Sequence, residues 1–185
     1  CFFRSEEEDY VKCLLGPDGS ESREAVRDLT EKLLVCVSAG RIEMHNVLCT
    51  LGKELGSSHE NESGERMWNY DRTFNSLCLE HVQGGKNKVR GIFLDTSKVT
   101  KGIALDKQTF TERFDKLNLR YLKIYDSLCP QQCEVDCKVN LPDDLNFPFQ
   151  EVRYLHWLKF SLDELPPDFE PNKLTDLRLP YSKIK

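Results

Sequence analysis

The stretch "VRYLHWLKFSL", residues 152–162, follows the pattern apolar-x-x-apolar-x-apolar and has a further aliphatic residue at its eleventh position. The same pattern occurs in "VRGIFLDTSKV" from Val89, "LRYLKIYDSLC" from Leu119 and "LTDLRLPYSKI" from Leu174, although the second of these has Cys129 at the eleventh position. This is the leucine-rich-repeat pattern, in which each unit supplies one short strand and buries its apolar face only against neighbouring units. The sequence therefore predicts a stack of repeats over residues 89–185.

The repeats are irregular. Their starting positions, 89, 119, 152 and 174, are separated by 30, 33 and 22 residues, and only the last step lies within the usual period. The asparagine that is usual at the ninth position is missing in all four units, where the residues are Ser97, Ser127, Phe160 and Ser182. We therefore expect a solenoid whose turns differ from one unit to the next.

The second interval contains "CPQQCEVDC", in which Cys129, Cys133 and Cys137 are evenly spaced. Metal sites usually have closer pairs and a fourth ligand, so an exposed loop between repeats is the favoured interpretation and no metal is predicted. Four other cysteines lie within apolar patterns, which indicates reduced, partly buried thiols in an intracellular chain: Cys13, Cys36, Cys49 and Cys78.

Residues 1–60 predict a different, mostly helical module. Helical spacing in "SEEEDYVKCLLG" and "SREAVRDLTEKLL" is followed by the strands "LVCV" and "RIEMH", which Gly40 joins through a turn. The last element, "NVLCTLGKELG", reads as a helix with Asn46 as its N-cap and with Val47, Leu48, Leu51 and Leu55 on one face. Helix, helix, hairpin, helix is compatible with a winged helix.

The fold class is therefore predicted as α/β overall, with a winged-helix module over residues 1–60 and an irregular leucine-rich-repeat solenoid over residues 89–185. Residues 61–88 are assigned to a linker and a transition helix region, since residues 56–66 are polar and rich in Gly and Ser, as in an exposed loop.

The charge is unevenly distributed along the chain, whose net charge is −5. Residues 1–60 hold 7 basic and 12 acidic side chains, whereas residues 61–185 hold 19 of each. The alternative function, a DNA-binding winged helix fused to a protein-binding repeat, needs a cluster of Lys and Arg on its recognition helix. That helix has only Lys53, so nucleic acid is not expected as a partner.

The residues of the chain do not suggest catalysis. His59 and His81 lie in polar surroundings without a paired nucleophile or carboxylate, and no GxxxxGK[ST] phosphate loop is present. No apolar run reaches the length that spans a bilayer. We predict that this chain is not an enzyme and has no membrane partner.

Several short sequence motifs and their order resemble those of the plant immune receptors that combine a TIR domain, a nucleotide-binding NB-ARC switch and leucine-rich repeats. Cys1-Phe2-Phe3 resembles the end of the family's "ACFF" helix, and "GRIEMHN" is similar to its "MHD" motif. "VRGIFLDTSKV", "VRYLHW" and "LDELPPDFEPNKLTDLRLPYSKIK" are similar to the family's first repeats. The resemblance implies that this chain is a fragment holding the end of the NB-ARC winged helix and the first repeats.

The resemblance also implies a nucleotide-binding role for Met44, His45 and Asn46. In the family, the histidine of this motif closes over the β-phosphate of ADP and holds the receptor off until ATP replaces ADP. Asn46 stands where the family has Asp. We hypothesise that the ADP state is held less firmly in this protein, or that a partner receptor shares its control.

Cofactors and partners are implied in the same way. ADP or ATP would bind the intact receptor, with neither held tightly by this fragment. The partners would be the receptor's own NB-ARC and TIR modules, a pathogen effector or guarded host protein, and a paired receptor or oligomer after activation. The TIR domain, which this chain lacks, would be an NAD⁺ hydrolase. The implied location is the cytoplasm or the nucleus.

A basic, partly aromatic stripe is predicted along the repeats, because residues at the same repeat position line up across neighbouring strands. Two interpretations are equally open: an ordinary solvated face, or a protein-interaction surface for an acidic part of the switch or for a ligand protein. The residues of the predicted stripe are Arg90, Arg120, Tyr121, Lys123, Arg153, Tyr154, His156 and Arg178.

Overall fold

The computed structural model describes residues 3–15, 20–57, 66–67, 89–99, 102–105, 107, 111, 119–128, 138–147, 150–169 and 172–184. The chain is mixed α/β and divides into two compact units, Cys1–Ser58 and His59–Lys185. None of the helices in the described ranges is long and apolar enough to cross a membrane.

The first unit has the predicted order of helix, helix, hairpin and helix. Its elements are α1 (Glu8–Leu15), α2 (Ser20–Glu31), β1 (Cys36–Ser38), β2 (Arg41–Glu43) and α3 (Asn46–Ser57). Strands β1 and β2 are antiparallel, and Ser38 pairs with Arg41 across a two-residue turn. Both turn residues have positive φ, 49° at Ala39 and 75° at Gly40, which is the type I′ geometry that matches the twist of a hairpin.

The core of the first unit is small. Val11, Val26, Val35 and Ile42 form its buried cluster, and Leu14 is also fully buried. Several apolar side chains that follow helical spacing in the sequence are exposed, although Val26 of α2 is buried. Helical periodicity determines which residues share a face, but not what covers that face. The exposed residues are Leu29, Leu33, Leu34, Val47, Leu51 and Leu55.

The second unit is built on a parallel sheet. Its elements are β3 (Arg66–Met67), β4 (Gly91–Asp95), a 3₁₀ helix (Thr96–Lys98), β5 (Ile103–Ala104), β6 (Tyr121–Tyr125), β7 (Val139–Asn140), β8 (Tyr154–Trp157) and β9 (Asp176–Arg178). One parallel sheet has the order β3-β4-β6-β8-β9, and β5 pairs with β7 in a second parallel sheet. The sequence did not predict β3, because two residues are too few to show an alternating pattern.

The pairing register confirms the alignment of the four predicted repeat stretches. Ile92 pairs with Leu122, Leu122 with Leu155, and Leu155 with Leu177, so the fourth position of each stretch lies beside its equivalents. The aliphatic positions of the pattern supply most of a continuous core, in which Leu94, Leu122 and Leu155 are among the most deeply buried residues. Burying apolar surface across neighbouring strands therefore holds this unit together.

Asp95 takes the place of the missing asparagine in the first turn. Its Oδ1 accepts hydrogen bonds from the backbone N–H groups of Ser97 and Ser127, each at 3.0 Å. The bond from Ser97 caps the 3₁₀ helix, and the bond from Ser127 connects this turn to the turn that follows β6. Burial raises the pKa of Asp95, but hydrogen bonds from Ser127 and Ser97 outweigh it, so that the pKa lies below its usual value.

The turns after β8 and β9, in the third and fourth predicted repeats, differ from the turn after β4. Lys159 and Tyr181 occupy the eighth position of their stretches, and both adopt the left-handed conformation, with φ of 55° and 58°. The N–H of Lys159 donates to the carbonyl of Pro180, at 2.9 Å, and so connects the two turns. Thus the predicted irregularity is present in the described residues as two kinds of turn.

Replacing Asp95 by alanine should lower the free energy of unfolding of the chain by about 1–3 kcal/mol, since two amide donors lose their acceptor. Asp95→Asn should cost less, because its amide oxygen can still accept both bonds. Urea denaturation measures both changes. Asp163→Ala, at an exposed position, is the matched control. Equal stability of Asp95→Ala and the control would show that these hydrogen bonds contribute nothing.

Candidate functional site

The three predicted nucleotide-binding residues lie where β2 leads into α3: Met44 and His45 form the turn, and Asn46 begins the helix. Met44 is half-buried and packs against the core of the first unit, so its side chain anchors the turn. His45 and Asn46 are exposed. The structure thus brings two of the predicted residues to the surface side by side and directs the third inward.

His45, rather than the predicted Asn46, is the N-cap of α3. Its carbonyl accepts the N–H of Cys49, at 3.0 Å, and its Nδ1 accepts the N–H of Val47, at 3.3 Å. Asn46 is the first residue of the helix. The prediction failed because asparagine is the commoner cap, whereas here a ring nitrogen fills that role.

The cap determines which nitrogen of a neutral His45 carries hydrogen. Since Nδ1 accepts a hydrogen bond, the proton must lie on Nε2, which is then a donor. The positive end of the α3 dipole and the amide groups of the first helical turn lie next to this ring. Donors at a helix N-terminus suit an anion such as a phosphate group.

Arg4 also belongs to this turn, although the sequence did not indicate it. One guanidinium nitrogen, Nη1, donates to Oδ1 of Asn46, and Nε lies 3.9 Å from a carboxylate oxygen of Glu43. Ser5 Oγ donates to the same carboxylate, at 3.2 Å. Arg4 and Asn46 are 42 positions apart, and neither is part of a periodic pattern, so only the fold brings them together.

The predicted basic stripe forms in part. Lys123 pairs with His156 and His156 with Arg178 in the strand register, so that these three residues form a row across β6, β8 and β9. We call them the basic row. All three are outside the core cluster, and Arg178 is exposed whereas Lys123 and His156 are half-buried.

Two predicted members of the stripe are not exposed. Tyr121 and Tyr154 retain 5% and 3% of their accessible surface, which corrects the expectation of an aromatic surface. Arg178 lies over the ring of Tyr154, 5.7 Å from its centroid, and His156 stacks on the same ring at 6.3 Å. Tyr154 therefore supports the basic row from within instead of presenting its ring for contact.

The three arginines of the stripe lie at the ends where the strands begin. The carbonyl of Arg90 accepts the N–H groups of Arg120 and Tyr121, and the carbonyl of Arg120 accepts those of Arg153 and Tyr154. Arg90 is exposed, whereas Arg120 and Arg153 are half-buried. These arginines form a second line, just before the N-terminal ends of β4, β6 and β8, and do not belong to the basic row.

The charge of the basic row is partly compensated. Arg178 Nε donates to the carboxylate of Asp176, at 2.8 Å, and Lys123 lies 5.0 Å from the ring centroid of Tyr125. Burial first, and then the charges of Lys123 and Arg178, lower the pKa of His156 to about 4, against the opposing effect of Asp176. His156 is therefore neutral near pH 7.

Within the described ranges, no group of three or more His, Cys, Asp or Glu side chains could hold a metal ion. Cys129, Cys133 and Cys137, for which no metal was predicted, lie outside the described residues, as does the predicted linker apart from β3.

Acidification should destabilise the chain through His156. The unfolded chain binds a proton at an ordinary histidine pKa, whereas the folded chain resists protonation until about pH 4. The free energy of unfolding should therefore fall as pH decreases from about 6.5 to about 4. His156→Gln should reduce this fall in urea titrations at each pH. A fall of the same size in His156→Gln would exclude this cause.

Comparison with family models gives no match. Three proteins of Arabidopsis thaliana match nearly the whole chain. Disease resistance-like protein CSA1 is 43% identical over 186 residues, and disease resistance protein RPS4 is 41% identical over 191; each alignment covers 99% of this chain and 15% of the relative. Disease resistance protein LAZ5 is 43% identical over 195 residues, which cover 100% of this chain and 16% of the relative. The chain thus spans about a sixth of the length of these relatives.

Proposed function

The chain belongs to the plant NLR disease resistance proteins, and we propose that it is the part of an immune receptor that senses the bound nucleotide and begins the ligand-recognising repeats. The first unit would be the winged-helix end of the nucleotide-binding switch, as its order of helix, helix, hairpin and helix supports. The second unit would be the first leucine-rich repeats, as the register of its parallel sheet supports.

The observation that carries this proposal is the position of His45. Its ring is exposed at the N-terminus of a twelve-residue helix, and the cap at Nδ1 leaves Nε2 as a donor. An ADP phosphate in the intact receptor would accept this hydrogen bond and would be attracted by the helix dipole. Met44 would keep the turn fixed to the core while His45 and Asn46 contact the nucleotide.

Asn46 would weaken the resting state. An aspartate in the first turn of α3 would interact favourably with the helix dipole and with the Arg4 guanidinium, whereas asparagine supplies only a neutral hydrogen bond. We propose that ADP is held less firmly than in receptors with Asp, or that a partner receptor shares this control.

Replacing His45 by alanine should weaken ADP binding to the intact receptor about tenfold, because a hydrogen bond to a charged phosphate is lost. Titration calorimetry on the purified receptor measures the affinity. Lys53→Ala, which changes a charge farther along the same helix, is the control. If His45→Ala binds ADP as tightly as the control, His45 does not sense the nucleotide.

We further propose that the basic row docks an acidic partner, either the receptor's own switch module in the resting state or a ligand protein. The support is the register, which gathers Lys123, His156 and Arg178 on one face, together with the acidic balance of residues 1–60. Complementary charge of this kind steers and registers a contact between protein surfaces.

Charge reversal by Lys123→Glu with Arg178→Glu should raise the resting activity of the intact receptor severalfold if the row holds it closed, because like charges then face each other. Defence output in plant tissue without pathogen is the measurement. Lys173→Glu with Lys183→Glu, at two exposed positions outside the row, makes the same change in net charge and is the control. An unchanged resting output would assign the row to a ligand or to solvent.

The proposed partners are the receptor's own NB-ARC and TIR modules, an effector or guarded host protein, and a paired receptor. ADP and ATP are the proposed cofactors of the intact receptor, and the cytoplasm is its proposed location. The proposed role of this chain is regulatory rather than enzymatic.

A further inference from the structure

The segment before α1 lies along β2. The N–H of Ser5 donates to the carbonyl of Ile42, at 2.7 Å, and the N–H of Ile42 donates back to the carbonyl of Glu6, at 2.9 Å. Glu7 forms an isolated antiparallel bridge with Arg41. These bonds fix residues 4–7 beside the strand that leads into the His45 turn.

Arg4 contacts both sides of that turn. Its guanidinium reaches Asn46 through Nη1 and lies near Glu43 through Nε, so it spans the pair Met44–His45. Arg4 and Glu43 keep 38% and 37% of their side-chain surface exposed, so solvent weakens the ionic contact but does not abolish it. A planar guanidinium suits this geometry, because it can direct separate N–H groups toward two acceptors.

The charges around the turn show why the identity of residue 46 matters. Arg4 and Glu43 carry opposite charges that nearly cancel, and Asn46 adds none. An aspartate at this position would give two carboxylates for one guanidinium. Without Arg4, this aspartate and Glu43 would both lose the guanidinium that offsets their charge, close to the proposed phosphate position.

We propose that Arg4 is a positioning residue of the nucleotide-sensing turn, an inference that rests on the proposed function of His45. Arg4 holds the residues on either side of Met44–His45 and thereby keeps the His45 ring in its capping geometry. It also decides what residue 46 does: with Arg4 present, an aspartate at this position strengthens ADP binding, and without Arg4 it does not.

The test compares ADP affinity in the intact receptor for Asn46→Asp in three backgrounds. With Arg4 unchanged, Asn46→Asp should tighten ADP binding about threefold, the size expected for a partly exposed ion pair. In Arg4→Ala, and separately in Arg4→Gln, which keeps hydrogen-bond donors but no charge, the tightening should disappear. Arg4→Ala alone should weaken ADP binding by a similar factor.

Arg41→Ala is the matched control background. Arg41 also ties the same segment to β2, through Ser5 O at 2.8 Å and Glu7 at 3.3 Å, but it makes no described contact with Glu43 or Asn46. Asn46→Asp should therefore still tighten ADP binding in Arg41→Ala. Thermal unfolding of every variant checks that the receptor remains folded.

The outcomes separate this inference from the proposed function. If His45→Ala leaves ADP affinity unchanged, the nucleotide-sensing role itself is wrong. If His45→Ala weakens binding but Asn46→Asp acts equally with and without Arg4, only the role of Arg4 is overturned. Loss of the tightening in Arg41→Ala as well would also overturn it, because Arg4 would then matter only by attaching the N-terminal segment.

Discussion

The second unit depends on one constraint, the parallel register that places equal repeat positions side by side. Because Ile92, Leu122 and Leu155 are neighbours across the strands, their side chains share one core. The same register gathers the basic residues, which lie at one position of three successive strands. A shift of one residue would turn every side chain to the other face and would remove both the core and the row.

The element order and the register could be predicted from the sequence because both follow from apolar periodicity. The caps and turns could not. Asn46, the predicted cap of α3, is its first residue, and His45 caps the helix instead, while Ser5 has φ of 64° and pairs with β2. Capping preferences differ by about 1 kcal/mol, which long-range hydrogen bonds easily outweigh. Asp95, which takes the place of the asparagine that is usual at the ninth repeat position, was also not predicted, because it lies two positions before the ninth.

Exposure was the least predictable property. The alternation along β8 correctly predicted that Tyr154 lies on the same face as His156, but it did not predict that Tyr154 is buried. Helical spacing correctly grouped Val47, Leu51 and Leu55 on one face, but these side chains are exposed. A periodic pattern describes one element, whereas burial depends on everything that approaches it. The buried ring of Tyr154 nevertheless contributes to the basic row, since Arg178 lies over it and His156 stacks on it.

At the His45 turn, a sequence motif is combined with a contact that only the fold creates. The motif contains His45 and Asn46, whereas Arg4, which contacts Asn46, lies 42 positions before it in the sequence. A guanidinium that spans Glu43 and Asn46 makes the effect of one substitution depend on another residue, since a new carboxylate is stabilised only where a cation already lies. If the turn has the proposed nucleotide-sensing role, the effect of an aspartate at position 46 is not set by the motif alone. Its energetic meaning depends on the pair of residues 4 and 46, and receptors that share the motif but differ at residue 4 should not share its behaviour.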